Sequence, residues 1–469
     1  MKPMTIQQII QATGARAAGA ARKEDLARCI NHIVRDSREV TEGSLFVAIA
    51  GENVDGHRFI ETAWQQGAVA VLAKEHNALA EAAAIPPGRT VLWVPDPVLA
   101  MGQIAHAYRL SMGACCIAIT GSVGKTSCKD MVAAALSGAR RTIKTQANFN
   151  NHIGVPLTLF QIEEDTQAAV VEMGMNHFEE IDYLASLTEP EYGIITNIGL
   201  SHIENLGSQE GILQAKLEMV PHIKQAGTLF LNGDDPLLYG MKEALPVQTE
   251  YFGFEAHNQA RVLSAELNEQ AQLHVQIEYR GEVYDFVLRT MGRHMAYNAL
   301  PAIMTAVHLG LTHEEILQGL EQYVPTPHRL EIIRTQSYLL IDDTYNANPV
   351  SMQGALEAMD SIPSAQRRVA ILGDMFELGD FARQGHEQIG RYVAQNSKVN
   401  VLIACGSAAR WIYEAAKGRE ESLRCYYFED VPTMEKNLFT ILRKDDIILL
   451  KASHGMAFSA VCDQLAKHQ

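Results

Sequence analysis

The sequence lacks any long apolar run, and its cysteines are few and scattered. No apolar stretch reaches the roughly 20 residues that a membrane-spanning helix needs, and the first residues do not form the apolar core of a secretory signal. The seven cysteines are an odd number without metal-ligand spacing. We therefore expect a cytoplasmic protein with free thiols and no stable membrane insertion.

Basic residues are scarce relative to acidic ones. The 469 residues include 39 lysines and arginines against 55 aspartates and glutamates, a formal net charge of −16. This excess of negative charge argues against nucleic acid or an anionic lipid surface as the main partner. A small anionic ligand remains compatible with it, because a few local cations and loop amides suffice to bind one.

Apolar strands that alternate with helical segments are abundant. Hydrophobic residues make up 47% of the chain, and its length predicts two to four domains at roughly 150 residues each. The alternation predicts an α/β fold with a doubly wound, mostly parallel sheet. We predict three domains, 1–97, 98–326 and 327–469, with a hinge at Pro325-Thr326-Pro327. An alternating stretch at 273–279 predicts an antiparallel hairpin in the second domain.

Residues 120–127 read Thr-Gly-Ser-Val-Gly-Lys-Thr-Ser and follow an apolar run, which predicts a phosphate-binding loop. Its glycines let backbone N–H groups turn toward phosphate oxygens, Lys125 can reach the terminal phosphates, and the Thr126 hydroxyl can ligate Mg²⁺. The loop is short, because Ile119 stands where the general pattern has its first glycine. We expect a nucleoside triphosphate to contact Gly121, Ser122, Val123, Gly124, Lys125, Thr126 and Ser127.

Three polar residues accompany the next elements along the chain. Glu172 ends an apolar strand, where a carboxylate is either a natural Mg²⁺ ligand or a solvated acid. We expect the strand before His202 to end beside the strand of Glu172, which leaves a metal, phosphate or structural role open for the imidazole. For Lys216, the residues alone favour an exposed helix lysine that pairs with a glutamate in a neighbouring turn.

Further polar residues follow in two segments and at the hinge. Asn148, Asn150 and Asn151 lie in a Gly/Pro-punctuated segment that predicts either turns or a ligand contact. Residues 342–349 follow a buried strand and contain two acids, two amides and a tyrosine, more polar groups than a turn needs. Arg329 is either a surface arginine or a group that moves onto a phosphate when domains close.

Together these segments resemble the Mur ligase family, the ATP-dependent amide ligases of peptidoglycan assembly, in order along the whole chain. The short phosphate loop is shared with folylpolyglutamate synthases and identifies only the superfamily. Segments 342–352 and 372–379 are very similar to those of the family member that joins D-alanyl-D-alanine to UDP-N-acetylmuramoyl-tripeptide. Segments 36–38, 45–48 and 55–57 resemble those that hold the uridine nucleotide.

The resemblance implies a fold, a reaction and a set of ligands. It implies a small N-terminal α/β uridine-nucleotide domain, a central P-loop ATPase domain and a Rossmann-like C-terminal domain. The expected reaction uses ATP and two Mg²⁺ ions, passes through an acyl phosphate, and occurs in a monomer.

The matching positions also imply individual roles. Lys216 matches a lysine that can be carbamylated to give a further carboxylate for the metal. Asn298 matches an adenine-contacting asparagine, and Arg329 matches an arginine that reaches ATP. Catalytic roles are implied for Lys125, Glu172, His202 and Lys216, and metal ligation for Thr126, Glu172, His202 and Lys216. Substrate contacts are implied for Ser37, Arg38, Asn148, Asn151, Asp343, Tyr345, Asn346, Asn348, Lys451 and His454.

The chain departs from the family pattern at a few positions. Met295 stands where a second asparagine is usual, and Ser459 stands where a glutamate is common. His454 replaces an arginine, so affinity for the dipeptide should depend on pH if that position binds a substrate carboxylate.

Other interpretations stay open on the sequence. The protein could be another Mur-type amino-acid ligase or resemble a folylpolyglutamate synthase. A P-loop ATPase or switch without ligase activity, and an idle nucleotide-binding protein, belong to different classes of function. Dependence of ADP release on an amine substrate separates these interpretations.

Overall fold

The computed structural model describes residues 1–18, 23–51, 54–199, 203–268, 272–418 and 423–467. Within these ranges no helix combines the length and the apolar character needed to cross a membrane. All seven cysteines are free, as the sequence predicts.

The N-terminal part contains a small, mostly parallel sheet. Its elements are β1 (Met4–Thr5), α1 (Ile6–Thr13), β2 (Arg16–Ala18), α2 (Lys23–Leu26), β3 (Cys29–Ile30), β4 (His32–Val34), β5 (Ser44–Val47), α3 (Ile60–Gln65), β6 (Ala70–Lys74), α4 (Ala78–Ala82) and β7 (Thr90–Val94). The sheet order is β2-β7-β6-β5-β4, with β2 antiparallel to β7 and the other pairs parallel.

The central part contains the largest sheet. Its elements are α5 (Pro97–Leu110), β8 (Cys115–Thr120), α6 (Lys125–Ser137), β9 (Thr142–Lys144), α7 (Gly154–Leu159), β10 (Ala168–Glu172), α8 (Glu180–Thr188), β11 (Tyr192–Ile195), α9 (Ile203–Leu206), α10 (Gln209–Leu217), β12 (Thr228–Asn232), α11 (Pro236–Tyr239), β13 (Gln248–Gly253), β14 (Ala260–Leu267), β15 (Leu273–Tyr279), β16 (Glu282–Leu288), α12 (Met295–His308) and α13 (His313–Glu321). The order is β16-β15-β14-β13-β12-β11-β8-β10-β9. Strands β9 to β14 and β8 pair in parallel, while β14, β15 and β16 pair antiparallel, which confirms the predicted hairpin.

The C-terminal part contains a third sheet with helices on both faces. Its elements are β17 (Glu331–Arg334), β18 (Tyr338–Asp342), α14 (Pro349–Asp360), β19 (Arg368–Gly373), α15 (Ala382–Asn396), β20 (Val401–Cys405), α16 (Ala409–Ala416), β21 (Arg424–Phe428), α17 (Val431–Ile441), β22 (Asp446–Lys451) and α18 (Phe458–Lys467). The order is β17-β18-β22-β19-β20-β21, parallel except for the β17–β18 pair.

Strand burial follows from this layering. Strands β10, β19, β20 and β22 are buried along their whole length because helices cover both faces of their sheets, as the continuous apolar runs predict. One core cluster joins α1 and β5 to α5, β8 and β10, so the N-terminal part packs directly on the central sheet.

Each sheet lies inside one of the three predicted ranges, and the predicted α/β fold is confirmed. The domain bounds themselves stay a prediction.

The strand order corrects one sequence-based expectation. We expected the strand before His202 to lie beside the strand that ends at Glu172. Strand β8 instead lies between β10 and β11, so the two strand ends flank the phosphate loop from opposite sides. Residue His202 lies outside the described residues.

Candidate functional site

The carboxyl ends of the central strands open into a cleft of about 1510 Å³ that the C-terminal part borders on the other side. Ligands of open α/β sheets gather at this edge. Most of the predicted site residues line the cleft: Ser122, Val123, Gly124, Lys125, Thr126, Ser127, Asn148, Asn151, Glu172, Asn298, Arg329, Asp343, Tyr345, Asn346, Asn348 and Lys451. Gly121, Ser37, Arg38, Lys216 and His454 are not among the lining residues.

The phosphate loop joins β8 to α6, and its glycines are required by the backbone. Gly121 has φ 149° and Gly124 has φ 87°. A Cβ atom at Gly121 would lie 1.9 Å from Thr196 Oγ1, so no larger residue fits there. Gly124 precedes the first turn of α6, whose free N–H groups carry partial positive charge at the cleft. The loop therefore has the backbone geometry that an anion site needs.

Asn197 holds the phosphate loop from the neighbouring strand end. Its side chain accepts from Val123 N at 2.9 Å and donates to Val123 O at 2.9 Å, while its carbonyl accepts from Ser122 N at 3.0 Å. Lys125 Nζ donates to the Gly121 carbonyl at 2.7 Å. Burial lowers the pKa of Lys125, and the Glu172 carboxylate opposes that shift.

Glu172 lies at the end of β10 and faces the start of α6. Its Oε1 accepts from Thr126 Oγ1 at 3.2 Å and from Asn150 Nδ2 at 2.9 Å. Its Oε2 is buried and has no hydrogen-bond partner among the described residues, with Lys129 Nζ 3.7 Å away. A buried carboxylate oxygen without a hydrogen bond, beside a hydroxyl and a phosphate loop, fits Mg²⁺, which takes oxygen ligands from one or two carboxylates and from phosphates.

The structure overturns the expectation of an exposed Lys216. This residue lies on α10 but is only 2% exposed. Burial, with a smaller contribution from the charge of Lys125, lowers the pKa of Lys216 well below its ordinary value. A neutral amine is thereby favoured, and a neutral amine is the form that can attack CO₂.

Arg329 reaches the phosphate loop from beyond the predicted hinge. Its Nη2 donates to Thr126 Oγ1 at 3.0 Å, and its guanidinium lies 4.0 Å from the centroid of the Tyr345 ring. Its Nε is buried without a hydrogen-bond partner in the described chain. The guanidinium is therefore positioned for an anion in the cleft and is not a free surface arginine.

The loop after β18 carries an internal ion pair. Lys451 Nζ donates to Asp343 Oδ2 at 2.5 Å and to the Asn346 carbonyl at 2.9 Å, and Lys451 is 2% exposed. Asp343 Oδ1 accepts from Leu330 N at 3.2 Å. These contacts hold Tyr345 and Asn346 at the cleft wall.

Two of the predicted substrate residues bind backbone N–H groups near the starts of helices. Asn348 is the N-cap of α14, where its Oδ1 accepts from Ser351 N at 2.8 Å. Asn151 Oδ1 accepts from Ile153 N at 3.1 Å and from Gly154 N at 2.9 Å, in the turn that precedes α7. Both side chains have a structural task in addition to any ligand contact. Asn148 is exposed in the adjoining turn.

Three of the remaining predicted residues, Ser37, Arg38 and His454, lie away from the cleft lining, whereas Asn298 belongs to it. Ser37 begins a 3₁₀ turn in the N-terminal part, and Arg38 is exposed and lowers the pKa of Asp36 to about 2 through a side-chain hydrogen bond. His454 is exposed, with its ring centroid 6.1 Å from that of Tyr345. Asn298 is buried, and its Nδ2 lies 3.6 Å from Met295 Sδ, so a thioether occupies the expected position of a second amide.

Three family descriptions match successive segments of the chain. They are "Mur ligase family, catalytic domain" at 29–109, "Mur ligase middle domain" at 119–306, and "Mur ligase, glutamate ligase domain" at 328–454. The UDP-N-acetylmuramoyl-tripeptide–D-alanyl-D-alanine ligase of Bacillus subtilis (strain 168) is 36% identical over 437 residues, which cover 93% of either chain. The chain belongs to the Mur ligase family.

Solved structures are similar to this Mur ligase over nearly its full length. A crystal structure of MurF from Acinetobacter baumannii superposes with a TM-score of 0.89 at 30% identity and covers 100% of both chains. MurF from Thermotoga maritima in complex with ADP superposes with a TM-score of 0.81 at 26% identity and covers 93% of this chain and 97% of that one.

Sequence reasoning missed two residues that shape the site of this Mur ligase. Asn197 is the last residue of the apolar run 193–197, which predicts a strand, and its position at a strand end was a usable signal. No local pattern indicated that Lys129, on α6, is 2% exposed and lies near two carboxylates.

Proposed function

We propose that the protein is an ATP-dependent ligase that joins D-alanyl-D-alanine to the terminal carboxylate of UDP-N-acetylmuramoyl-tripeptide. The observation that carries the proposal is the match to the Bacillus subtilis ligase of that name along 93% of both chains. The ADP complex of the Thermotoga maritima relative supports ATP as the nucleotide. The converging contacts of Thr126, Glu172 and Arg329 support phosphoryl transfer in the cleft.

The first step activates the tripeptide. A carboxylate oxygen attacks the γ-phosphorus, the bond from that phosphorus to the β–γ bridging oxygen breaks, and ADP leaves behind an acyl phosphate. We assign stabilisation of the negative charge on the transferring phosphoryl group to Lys125, to Arg329 and to the N–H groups of α6. The two side chains carry positive charge at the phosphate loop, and the N–H groups carry partial positive charge there.

Four residues would hold Mg²⁺. Thr126 and Glu172, whose side chains are hydrogen-bonded to each other, would hold one ion, and Lys216 as a carbamate with His202 would hold a second. A bound Mg²⁺ supplies neutralisation of the charge on the transferring phosphoryl group. The carbamate forms when the neutral Lys216 amine attacks the carbon of CO₂ and loses a proton.

The second step forms the amide. The free amine of the dipeptide attacks the acyl carbon, the C–O bond to phosphate breaks, and the amine proton leaves with the phosphate. We assign the uridine nucleotide to Ser37 and Arg38 and the cleft-side substrate contacts to Asn148 and Asn151. The loop after β18 and the end of β22 supply the dipeptide contacts through Asp343, Tyr345, Asn346, Asn348, Lys451 and His454. The C-terminal part would exclude water from the acyl phosphate.

The same proposal covers organisation and location. We propose a uridine-nucleotide domain at 1–97, an ATP-binding domain at 98–326, and a domain at 327–469 that closes on ATP and the amine. The enzyme would act as a monomer in the cytoplasm, where ATP and the nucleotide-linked substrate occur together.

The test is ADP release with UDP-N-acetylmuramoyl-tripeptide in the presence and absence of D-alanyl-D-alanine. We expect turnover to require the dipeptide and to give one amide product per ADP by mass spectrometry. Turnover without any amine would instead identify an ATPase. Turnover only with a single amino acid would identify another ligase of the family.

A further inference from the structure

We propose that Thr326 and Asp130 position Arg329 for the nucleotide by tying the hinge to the helix that follows the phosphate loop. The Thr326 hydroxyl donates to Asp130 Oδ2, although 196 residues separate them in the chain. Asp130 lies on α6, one turn beyond Thr126. Asp130 therefore lies near Thr126, and Thr326 lies near Arg329, two groups that the nucleotide would touch. The inference rests on the proposed function.

Asp130 is a fixed anchor. It is 6% exposed, and its Oδ1 lies 2.8 Å from Lys144 Nζ and 3.4 Å from Lys129 Nζ. Lys129 in turn lies 3.7 Å from Glu172 Oε2. The carboxylate is thus held between α6 and the end of β9, and it cannot move without disturbing the wall of the phosphate site.

The hinge segment links the contact at Asp130 to the position of Arg329. Prolines on both sides of Thr326 restrict its backbone, so the position of the hydroxyl determines the path of the chain. His328 has φ 63° and Leu330 has φ 50°, backbone conformations that are uncommon for residues other than glycine. The chain therefore turns sharply around Arg329, which brings its guanidinium back to Thr126.

The C-terminal part is attached to the same turn. Leu330 N donates to Asp343 Oδ1 at 3.2 Å, and Tyr345 N donates to the His328 carbonyl at 3.2 Å. Arg329 also stacks on Tyr345. A hinge that is held at Thr326 thus sets the position of both Arg329 and the loop after β18 relative to the phosphates.

The test compares two substitutions at one position in the full chain. Thr326→Val keeps the branched shape and removes the hydroxyl, whereas Thr326→Ser keeps the hydroxyl. We expect ADP affinity, measured by titration calorimetry, to fall about tenfold in Thr326→Val, the effect of losing one hydrogen bond to a charged group. Thr326→Ser should stay within about twofold of the wild type. In turnover, Thr326→Val should raise the KM for ATP and leave the KM for the UDP-linked substrate unchanged.

A cycle with Asp130→Ala, which removes the acceptor, assigns the effect to the contact. In the Asp130→Ala background, Thr326→Val should weaken ADP binding by clearly less than in the wild type. Wild-type ADP affinity in Thr326→Val would overturn the inference, and so would additive losses or equal losses of affinity for both substrates. Calorimetry with ADP needs no ligation, so a failure of the proposed function is seen separately in the turnover assay.

Discussion

Arg329 Nη2 lies 3.0 Å from Thr126 Oγ1, although 203 residues separate the two in the chain. The same hydroxyl donates to Glu172 Oε1 at 3.2 Å. The phosphate loop, the carboxylate at the end of β10 and the first residues beyond the hinge therefore meet at one oxygen atom. Substitutions around that atom test the account most sharply.

Glu172→Gln should weaken the use of Mg²⁺. The amide keeps the volume and an acceptor for Thr126 but loses the charge that holds the cation, so the half-saturating Mg²⁺ concentration should rise at least tenfold, about 1.4 kcal/mol. Initial rates over a Mg²⁺ series measure this. Glu164→Gln is a matched control, because its side chain is 73% exposed and does not line the cleft. An unchanged Mg²⁺ dependence in Glu172→Gln would remove Glu172 from the metal site.

Bicarbonate should activate the wild-type enzyme through Lys216. Burial lowers the pKa of this amine, so more of it is neutral near pH 8 than for an ordinary lysine, and CO₂ can add. Removal of CO₂ should therefore lower the activity near pH 8, and added bicarbonate should restore it. Lower pH protonates the amine, so the activation by bicarbonate should weaken as pH falls.

Carbon-13 NMR with labelled bicarbonate gives the direct readout for Lys216. We expect a carbamate signal in the wild-type protein and none in Lys216→Arg, whose activity should not respond to bicarbonate. A carbamate signal that persists in Lys216→Arg would place the modification elsewhere.

Asn348 should show two separable effects. Asn348→Ala removes the N-cap of α14 and should lower the free energy of unfolding by about 1 kcal/mol, whereas Asn348→Asp keeps the cap. Chemical denaturation measures this difference. We expect the KM for D-alanyl-D-alanine to rise in both variants, because both lose the amide N–H donors. A wild-type KM in Asn348→Asp would leave Asn348 with its capping task alone.

His454 should contribute to the binding of the dipeptide. His454→Ala removes the ring and its polar nitrogens, so the KM for D-alanyl-D-alanine should rise, whereas His454→Arg supplies a positive charge for the carboxylate and should not raise it. Initial rates over a dipeptide series measure this. A wild-type KM in His454→Ala would argue against a carboxylate contact at this exposed residue.

The sequence predicts those features that depend on local pattern. The phosphate loop, the strand that ends at Glu172 and the β15–β16 hairpin each have a signature within a few residues. The burial of Lys216 and the position of β8 between β10 and β11 have none, because both arise from how distant elements pack. The Asn348-Pro349 pair is a local signal for a helix N-cap. From the sequence we nevertheless assign Asn348 only to substrate binding, because it lies in a polar segment of the predicted site.

The central claim is that ATP activates the tripeptide carboxylate, and oxygen transfer tests it most directly. The enzyme is incubated with ATP, D-alanyl-D-alanine and UDP-N-acetylmuramoyl-tripeptide labelled with ¹⁸O in its terminal carboxylate. An acyl phosphate places one carboxylate oxygen on the departing phosphate, so we predict one ¹⁸O atom in each phosphate released. Released phosphate without ¹⁸O would show that water supplied its new oxygen and that ATP is hydrolysed without activating the carboxylate, which contradicts the account.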